Sequence, residues 1–209
     1  MKKTKKVLER CPDNINHLEH ICGIDEVGRG CGAGPVFTSA VILPKDFTSD
    51  LIRDSKKLSE KQRNEAYKLI MDNALYVSCE YGSVDEINEH GIDKATFKSM
   101  YKCISNLGVE PEHILVDGIS WETYGDEKDY NEIVTLVPKG DDTYLSIAAA
   151  AIIAKVTRDK YMTDLSESYP NYFWGKNKGY LTSDHISAIK EFGPNEHHRT
   201  KYIRNFVNN

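Results

Sequence analysis

Apolar and polar residues along this chain switch between a two-residue period and a period of three to four, block by block. ICGIDEV at 21–27 is an apolar run that ends in two carboxylates and a glycine-dense bend, and PVFTSAVIL at 35–43 is a second such run. Together they predict two strands in a hairpin-like opening. Ser59-Glu60-Lys61-Gln62 has the form of a capping box, with serine accepting from a backbone N–H while glutamine reaches back, and predicts a helix through about Met71. ALYVSCEYGSV at 74–84 predicts a strand. Ser83-Val84-Asp85-Glu86 is a second capping box, before a short helix at 84–90 that Gly91 breaks. From about Lys94 to Asn106, Phe97, Met100, Tyr101 and Ile104 form the stripe of an amphipathic helix.

In the second half, HILVD at 113–117 and IVTLV at 133–137 predict two short strands, joined by the polar connection 119–132. SIAAAAIIAKVTRDKYM at 146–162 has four successive alanines, which suits a helix packed closely on a sheet. TSDHISAIKEFG at 182–193 is the last clear helix, with Gly193-Pro194 as its stop. The first twenty residues are polar and predict a short helix or loose arm. There are no repeats, low-complexity tracts or linkers. The reading is α/β: one domain over 1–209, with an N-terminal arm at 1–20 and a helical part from about 160 to 209.

With 209 residues, 40% hydrophobic and 28% charged, the chain has the balance of an ordinary soluble domain. No apolar run approaches the roughly 18 residues of a membrane span, and the charged start MKKTKK has no apolar stretch behind it. The expectation is a soluble, cytoplasmic monomer. Five cysteines, without a C-x-x-C pair or zinc spacing, read as reduced thiols. A net charge of -5 counts against a protein that coats nucleic acid nonspecifically. It leaves room for a nuclease, because basic side chains can gather on one face.

Carboxylates stand at three strand ends: Asp25-Glu26 before the bend, Asp117 closing ILVD, and Asp141 after VPKG. Ligands collect beyond strand ends in open sheets. Clustered carboxylates repel unless a cation joins them, and an all-oxygen set favours Mg²⁺ or Mn²⁺ over zinc. Strand ends are polar in any case, and Asp-Gly is a common turn pair, so no single one of these residues carries the argument. Gly28-Arg29-Gly30-Cys31-Gly32-Ala33-Gly34 loosely matches a dinucleotide cradle, but it opens a strand where that motif opens a helix. What remains is a side-chain-poor loop with one arginine, which lets a sugar–phosphate backbone approach the main chain. Lys56 and Lys57 precede a helix start. Lys155, Arg158 and Lys160 form a basic run, and Lys176, Lys178, Arg199 and Lys201, interleaved with Tyr172, Trp174 and Tyr180, read as a nucleic-acid face.

In order along the chain, GIDEVGRG at 23–30, AGPV at 33–36, DSKKLSEKQR at 54–63, LVDG at 115–118, VPKGD at 137–141 with SIAAAAIIAKVTRD at 146–159, YP at 169–170, KGYLT at 178–182 and GPNEHHR at 193–199 resemble the ribonuclease HII family. The resemblance covers about Ile21 to Arg199. It implies a ribonuclease H-like mixed β-sheet flanked by helices, with a C-terminal helical part. It also implies an endonuclease that cuts the RNA strand of RNA/DNA hybrids and cuts 5′ of ribonucleotides embedded in duplex DNA, leaving 5′-phosphate and 3′-hydroxyl ends. It places catalytic and metal-binding roles on Asp25, Glu26, Asp117 and Asp141, which would share two Mg²⁺ or Mn²⁺ ions. Substrate contacts fall to Gly28, Arg29, Gly30 and Tyr180, with Lys56, Lys155 and Arg158 as basic candidates. Twenty residues before the first motif cannot hold the extra domain of the sister type, ribonuclease HIII. The chain departs from the family's usual pattern at Cys31-Gly32, Ala151, Asn177 and Lys201. Its end, YIRNFVNN, has no clear pattern for binding a replication clamp. Two rivals stand beside this reading: a branched-DNA nuclease of similar fold, and a binding module whose carboxylates are structural.

Overall fold

The computed structural model describes residues 7–122 and 129–207. Five strands form one mixed sheet: β1 (Ile21–Val27), β2 (Val36–Ile42), β3 (Tyr76–Gly82), β4 (His113–Asp117) and β5 (Val134–Val137), in the order β3-β2-β1-β4-β5. β2 pairs antiparallel with both β1 and β3, as the hairpin reading predicts for the first pair, while β4 pairs parallel with β1 and β5 parallel with β4. Helices α1 (Glu60–Asn73), α2 (Val84–His90) and α3 (Ile92–Ser105) link β2 to β4 around β3. Both capping boxes form as the sequence predicts, on Ser59 with Gln62 and on Ser83 with Glu86. After β5 come α4 (Leu145–Ser168), α5 (Trp174–Asn177), α6 (Ser183–Phe192) and α7 (Thr200–Ile203).

Alternation along the strands divides the core into two layers. Cys22, Ile24, Ala40 and Ile42 meet the α3 stripe of Phe97, Met100, Tyr101 and Ile104. Val41 and Leu43 meet α1 and the apolar half of α4. The alanines set how near α4 comes. A Cβ at Gly23 in β1 would lie 2.2 Å from the main chain of Ser146, so helix and strand touch backbone to backbone there. α4 runs on to Ser168, past the expected start of the helical part near 160, and thereby joins that part rigidly to the sheet.

Three expectations change. The described part of the N-terminal arm, from residue 7, is packed: Leu8, Cys11 and Ile15 are buried, and Asp13–Ile15 form a 3-10 turn. The connection 119–132 lies partly outside the described residues, but its Trp121 and Tyr130 pack on the α3 layer, where polar neighbours in the sequence hid them. α5 and α7 are single turns, too short to show a period.

Candidate active site

Parallel pairing sets Ile24 of β1 beside Val116 of β4, so one residue further along each strand are Asp25 and Asp117. Both belong to the side-chain row that faces α4, as do Gly23 and Leu115 before them. Asp141 arrives from the 3-10 turn Gly140–Asp142, between β5 and α4. This turn is tied to β4: the Gly140 N–H donates to Asp117 Oδ1 at 2.6 Å. Asp25 and Asp141 are both about 5% exposed, which is unusual for carboxylates lacking a full set of partners.

Glu26 is the exception in this set. β1 stays regular through Val27, with Asp25 opposite Ser39 and Glu26 opposite Thr38. Glu26 therefore leaves the sheet on the face opposite Asp25. It nevertheless sits at the strand's end, where Asp117 acts on its charge. Burial pushes the Glu26 carboxyl up to about 7, against the pull of Arg29 and with the push of Asp117. Burial raises Asp25 well above the ordinary carboxylate range, and Glu26, Asp117 and Asp141 add to it. Asp117 is raised too, by burial first and by Asp141, although the Gly140 N–H opposes this. Asp25, Glu26 and Asp117 thus share one strand edge, and all three are harder to ionise there than in water.

Among the described residues, no three histidine, cysteine, aspartate or glutamate side chains are close enough to grip one ion as placed. Asp141 is held instead by Lys56, whose Nζ lies 3.3 Å from Oδ2, and the neighbouring Asp142 is held by Lys57 at 2.8 Å. The donor set still fits a hard divalent cation: all oxygen, all carboxylate, from three separate segments that converge on one edge.

The glycine-rich loop follows β1. Gly28 has φ +93°, and a Cβ there would lie 2.2 Å from Arg158 Nε, so both conformation and space demand glycine. Gly30 differs: it is exposed, with nothing within 4 Å of an added Cβ. Arg29 pairs with Asp93 at the start of α3, and its Nε lies 3.8 Å from Glu26. Tyr180 is exposed beside this loop, and the Gly179 carbonyl before it accepts from the N–H groups of Gly32 and Ala33.

Two basic expectations are corrected. Arg158 is fully buried, donating to the carbonyls of Pro35 (3.0 Å), Lys178 (2.8 Å) and Ala33 (3.2 Å). It is a strut under the loop and faces no solvent. The run it was read in dissolves, because Lys155 pairs with Asp159 and Lys160 with Asp164 along α4. The proposed face of Tyr172, Trp174 and Arg199 is likewise interior. Arg199 donates to the carbonyls of Gly34 (2.8 Å) and Arg29 (2.9 Å), bracing the loop from the other side. Below it, Trp174 Nε1 donates to His185 Nε2 at 3.0 Å, and His198 Nε2 lies 3.2 Å from the same nitrogen. His185 Nε2 therefore accepts, and its Nδ1 is left to donate to the Tyr180 carbonyl at 2.9 Å. Arg199 reads from sequence as part of an exposed face; the Gly34 and Arg29 carbonyls it satisfies explain why it is inside.

Comparison with known proteins gives the same picture. The sequence model of the family described as ribonuclease HII matches residues 22–205. A ribonuclease HII of Bacteroides thetaiotaomicron is 47% identical over 86% of this chain and 88% of its own. A ribonuclease HII of Archaeoglobus fulgidus, solved as a complex with PCNA, superposes with a TM-score of 0.70 at 25% identity, over 87% of this chain and 94% of its own. Bst-RNase HIII, solved in complex with Mn²⁺, shares the fold with a TM-score of 0.71 at 19% identity, over 91% of this chain and 71% of its own. Because the family match runs through both the carboxylate edge and the braced loop, this chain belongs to the ribonuclease HII family and is an endoribonuclease of the ribonuclease H type.

Proposed function

We propose that the protein cuts the RNA strand of RNA/DNA hybrids and cuts 5′ of single ribonucleotides in duplex DNA, leaving 5′-phosphate and 3′-hydroxyl ends. The observation that carries this is the convergence of buried Asp25 and partly buried Asp117, each one residue past the paired Ile24 and Val116, with buried Asp141, whose turn is tied to Asp117, while the Asp25, Glu26 and Asp117 carboxyls are raised. Such an arrangement is unfavourable by itself and becomes favourable around a cation. Asp25, Glu26, Asp117 and Asp141 would hold two Mg²⁺ or Mn²⁺ ions, which when bound supply an activated water and charge stabilisation for in-line phosphodiester hydrolysis. Bst-RNase HIII with Mn²⁺ supports the choice of ion class. For Glu26 to join, its side chain swings around the strand end, and for Asp141 to join, Lys56 lets go of it. Lys56 is then free for a phosphate.

Distinguishing RNA from DNA at one site needs contact with the 2′-hydroxyl. Gly28, Arg29 and Gly30 offer main-chain groups, and Tyr180 offers an exposed ring and hydroxyl beside them. Arg158 and Arg199 support this reading by fixing the loop from below. The catalytic unit spans 1–209 as one domain, acts as a cytoplasmic monomer, and serves ribonucleotide and primer removal in DNA replication and repair. The Archaeoglobus relative's complex with PCNA makes a sliding clamp a partner to test. The deciding assay is a gel on a labelled duplex with one ribonucleotide, with Mg²⁺ or with EDTA. A single Mg²⁺-dependent cut on the 5′ side is expected; tight binding without cleavage would leave a binding module, and cleavage of an all-DNA branched duplex would favour the resolvase-like rival.

A further inference from the structure

The family match begins at residue 22, yet the chain before it touches the turn that carries Asp141. Glu9 bridges Tyr144 in parallel fashion: the Glu9 N–H donates to the Thr143 carbonyl at 2.9 Å, and the Leu145 N–H donates to the Glu9 carbonyl at 2.8 Å. The second bond satisfies one of the amides that the first turn of α4 leaves without a helical partner. Tyr144, the N-cap of that helix, offers no side-chain cap of its own. On either side the arm is anchored by burial. Leu8 packs with Leu145 and Ala148, while Cys11 and Ile15 pack with Ile147. Arg10 staples the arm to itself, donating to the Asn16 carbonyl at 3.0 Å and to the Leu18 carbonyl at 2.5 Å.

The turn Gly140–Asp142 is therefore fixed at both ends. Asp117 takes the Gly140 N–H on the sheet side, and Glu9 takes up Thr143 and Leu145 on the helix side. Neither bond uses the Asp141 carboxylate, which keeps both oxygens for a cation or for Lys56. The turn closes on its own backbone bonds, from Asp142 to the Lys139 carbonyl and from Thr143 and Tyr144 to the Gly140 carbonyl, so Asp117 and Glu9 set where it sits between sheet and helix.

We infer that residues 8–15 are a positioning element for metal binding, setting the Asp141 turn through the main chain of Glu9. This rests on the reading of Asp141 as a metal ligand. Glu9→Pro removes the N–H, whereas Glu9→Ala keeps the main-chain bonds and should behave as the parent. Leu8→Ala loosens the anchor without touching either bond. Mn²⁺ binding to the substrate-free protein is followed by the electron-spin-resonance signal of free Mn²⁺, at a temperature where circular dichroism shows each variant folded. Losing one hydrogen bond's worth of order predicts binding about three- to tenfold weaker in Glu9→Pro, with Leu8→Ala weaker in the same direction. Amide exchange in 140–145 should quicken in both variants, and raised Mg²⁺ should restore cleavage. If Glu9→Pro does not fold, Leu8→Ala decides. Parental Mn²⁺ affinity in the folded variants overturns the inference. Asp141→Asn separates the two layers: if that variant binds Mn²⁺ as the parent does, it is the ligand reading that fails.

Discussion

The strand-end carboxylates and the cradle beneath the glycine-rich loop both bury polar groups, and they treat them in opposite ways. At the edge, Asp25 is buried and Glu26 and Asp117 are partly buried, and all three carboxyls are raised despite the nearby Arg29 and Lys56. In the cradle, Arg158 and Arg199 donate to the carbonyls of Pro35, Ala33, Lys178, Gly34 and Arg29, leaving Arg199 Nη2 without a partner among the described residues, and His185 and His198 sit neutral in a fixed pattern of donors and acceptors. Burial pushes His198 down to about 4, with His185 adding to it. Satisfied polar networks stabilise, while unsatisfied ones are kept where a ligand is to complete them. The contrast predicts that damage to the first region shows in activity and damage to the second in stability.

The largest effect tests the first half of that statement. Asp25→Asn and Asp141→Asn should each lower Mg²⁺-dependent cleavage by on the order of a hundredfold or more, the scale of losing one charge-stabilising group in an active site. In EDTA, Asp25→Asn should melt no earlier than the parent, because it removes repulsion. Asp142→Asn, which weakens an exposed pairing with Lys57, should change cleavage little. An inactive Asp142→Asn beside an active Asp141→Asn would show that the motif is registered one residue off.

Arg158→Met reverses the pattern. It keeps the volume but leaves three buried carbonyls without their donor, at about 1–3 kcal/mol for each that finds no other partner. Melting should fall by roughly 10 °C, seen by calorimetry, and every substrate should be slowed alike. A variant that melts like the parent but no longer binds hybrid would return Arg158 to the substrate.

The place of Arg158 shows what a sequence can carry here. The carboxylates are legible because their chemistry is local: an apolar run ends in an acid, three times over. The helix starts at Ser59 and Ser83 are legible for the same reason. Arg158, Arg199 and His185 satisfy carbonyls more than a hundred residues away, or across a turn, and no local period marks this. Trp174 and Tyr130 are likewise buried by distant partners, amid polar neighbours. Glu26 sits between the two cases: its sequence position is plain, but pleating sends it to the opposite face from Asp25.

Acid should also separate the regions, in EDTA. His198 stays neutral in the fold down to about 4, while the unfolded chain takes up a proton near 6.5. The unfolded state then binds more protons, so stability falls as pH drops from 6.5 toward 4, by on the order of 3 kcal/mol. Glu26 acts with the other sign. Its folded carboxyl holds its proton up to about 7 while the unfolded one releases it near 4.5, so stability falls as pH rises between them. Asp25 and Asp117 are raised in the same sense and act with Glu26, while His185 is lowered and acts with His198. The parent therefore carries two opposing slopes, and Glu26→Gln should tilt the balance toward the histidine slope. If Glu26→Gln loses stability at pH 6.5 and gains it at pH 4.5, the assignment of signs is wrong.

The smallest effect on stability is the sharpest test of the boundary between the regions, because Gly28 and Gly30 stand two residues apart on either side of it. Gly28→Ala must place a side chain at φ +93° and against Arg158 Nε, so it strains the main chain and displaces the strut. About 1–2 kcal/mol is expected from the backbone alone. Gly30→Ala meets no atom and no forbidden φ, so its melting temperature should stay within the ~0.5 kcal/mol scatter of surface changes. Its methyl projects where the loop is open. If a ribose packs there, cleavage of a duplex with one ribonucleotide should drop roughly tenfold, mainly in KM, since about 1.4 kcal/mol corresponds to that factor. Long hybrids, with many sites to offer, should suffer less. Full activity in Gly30→Ala would mean that the loop's glycines serve the Arg158 and Arg199 cradle alone, and that the 2′-hydroxyl is read elsewhere.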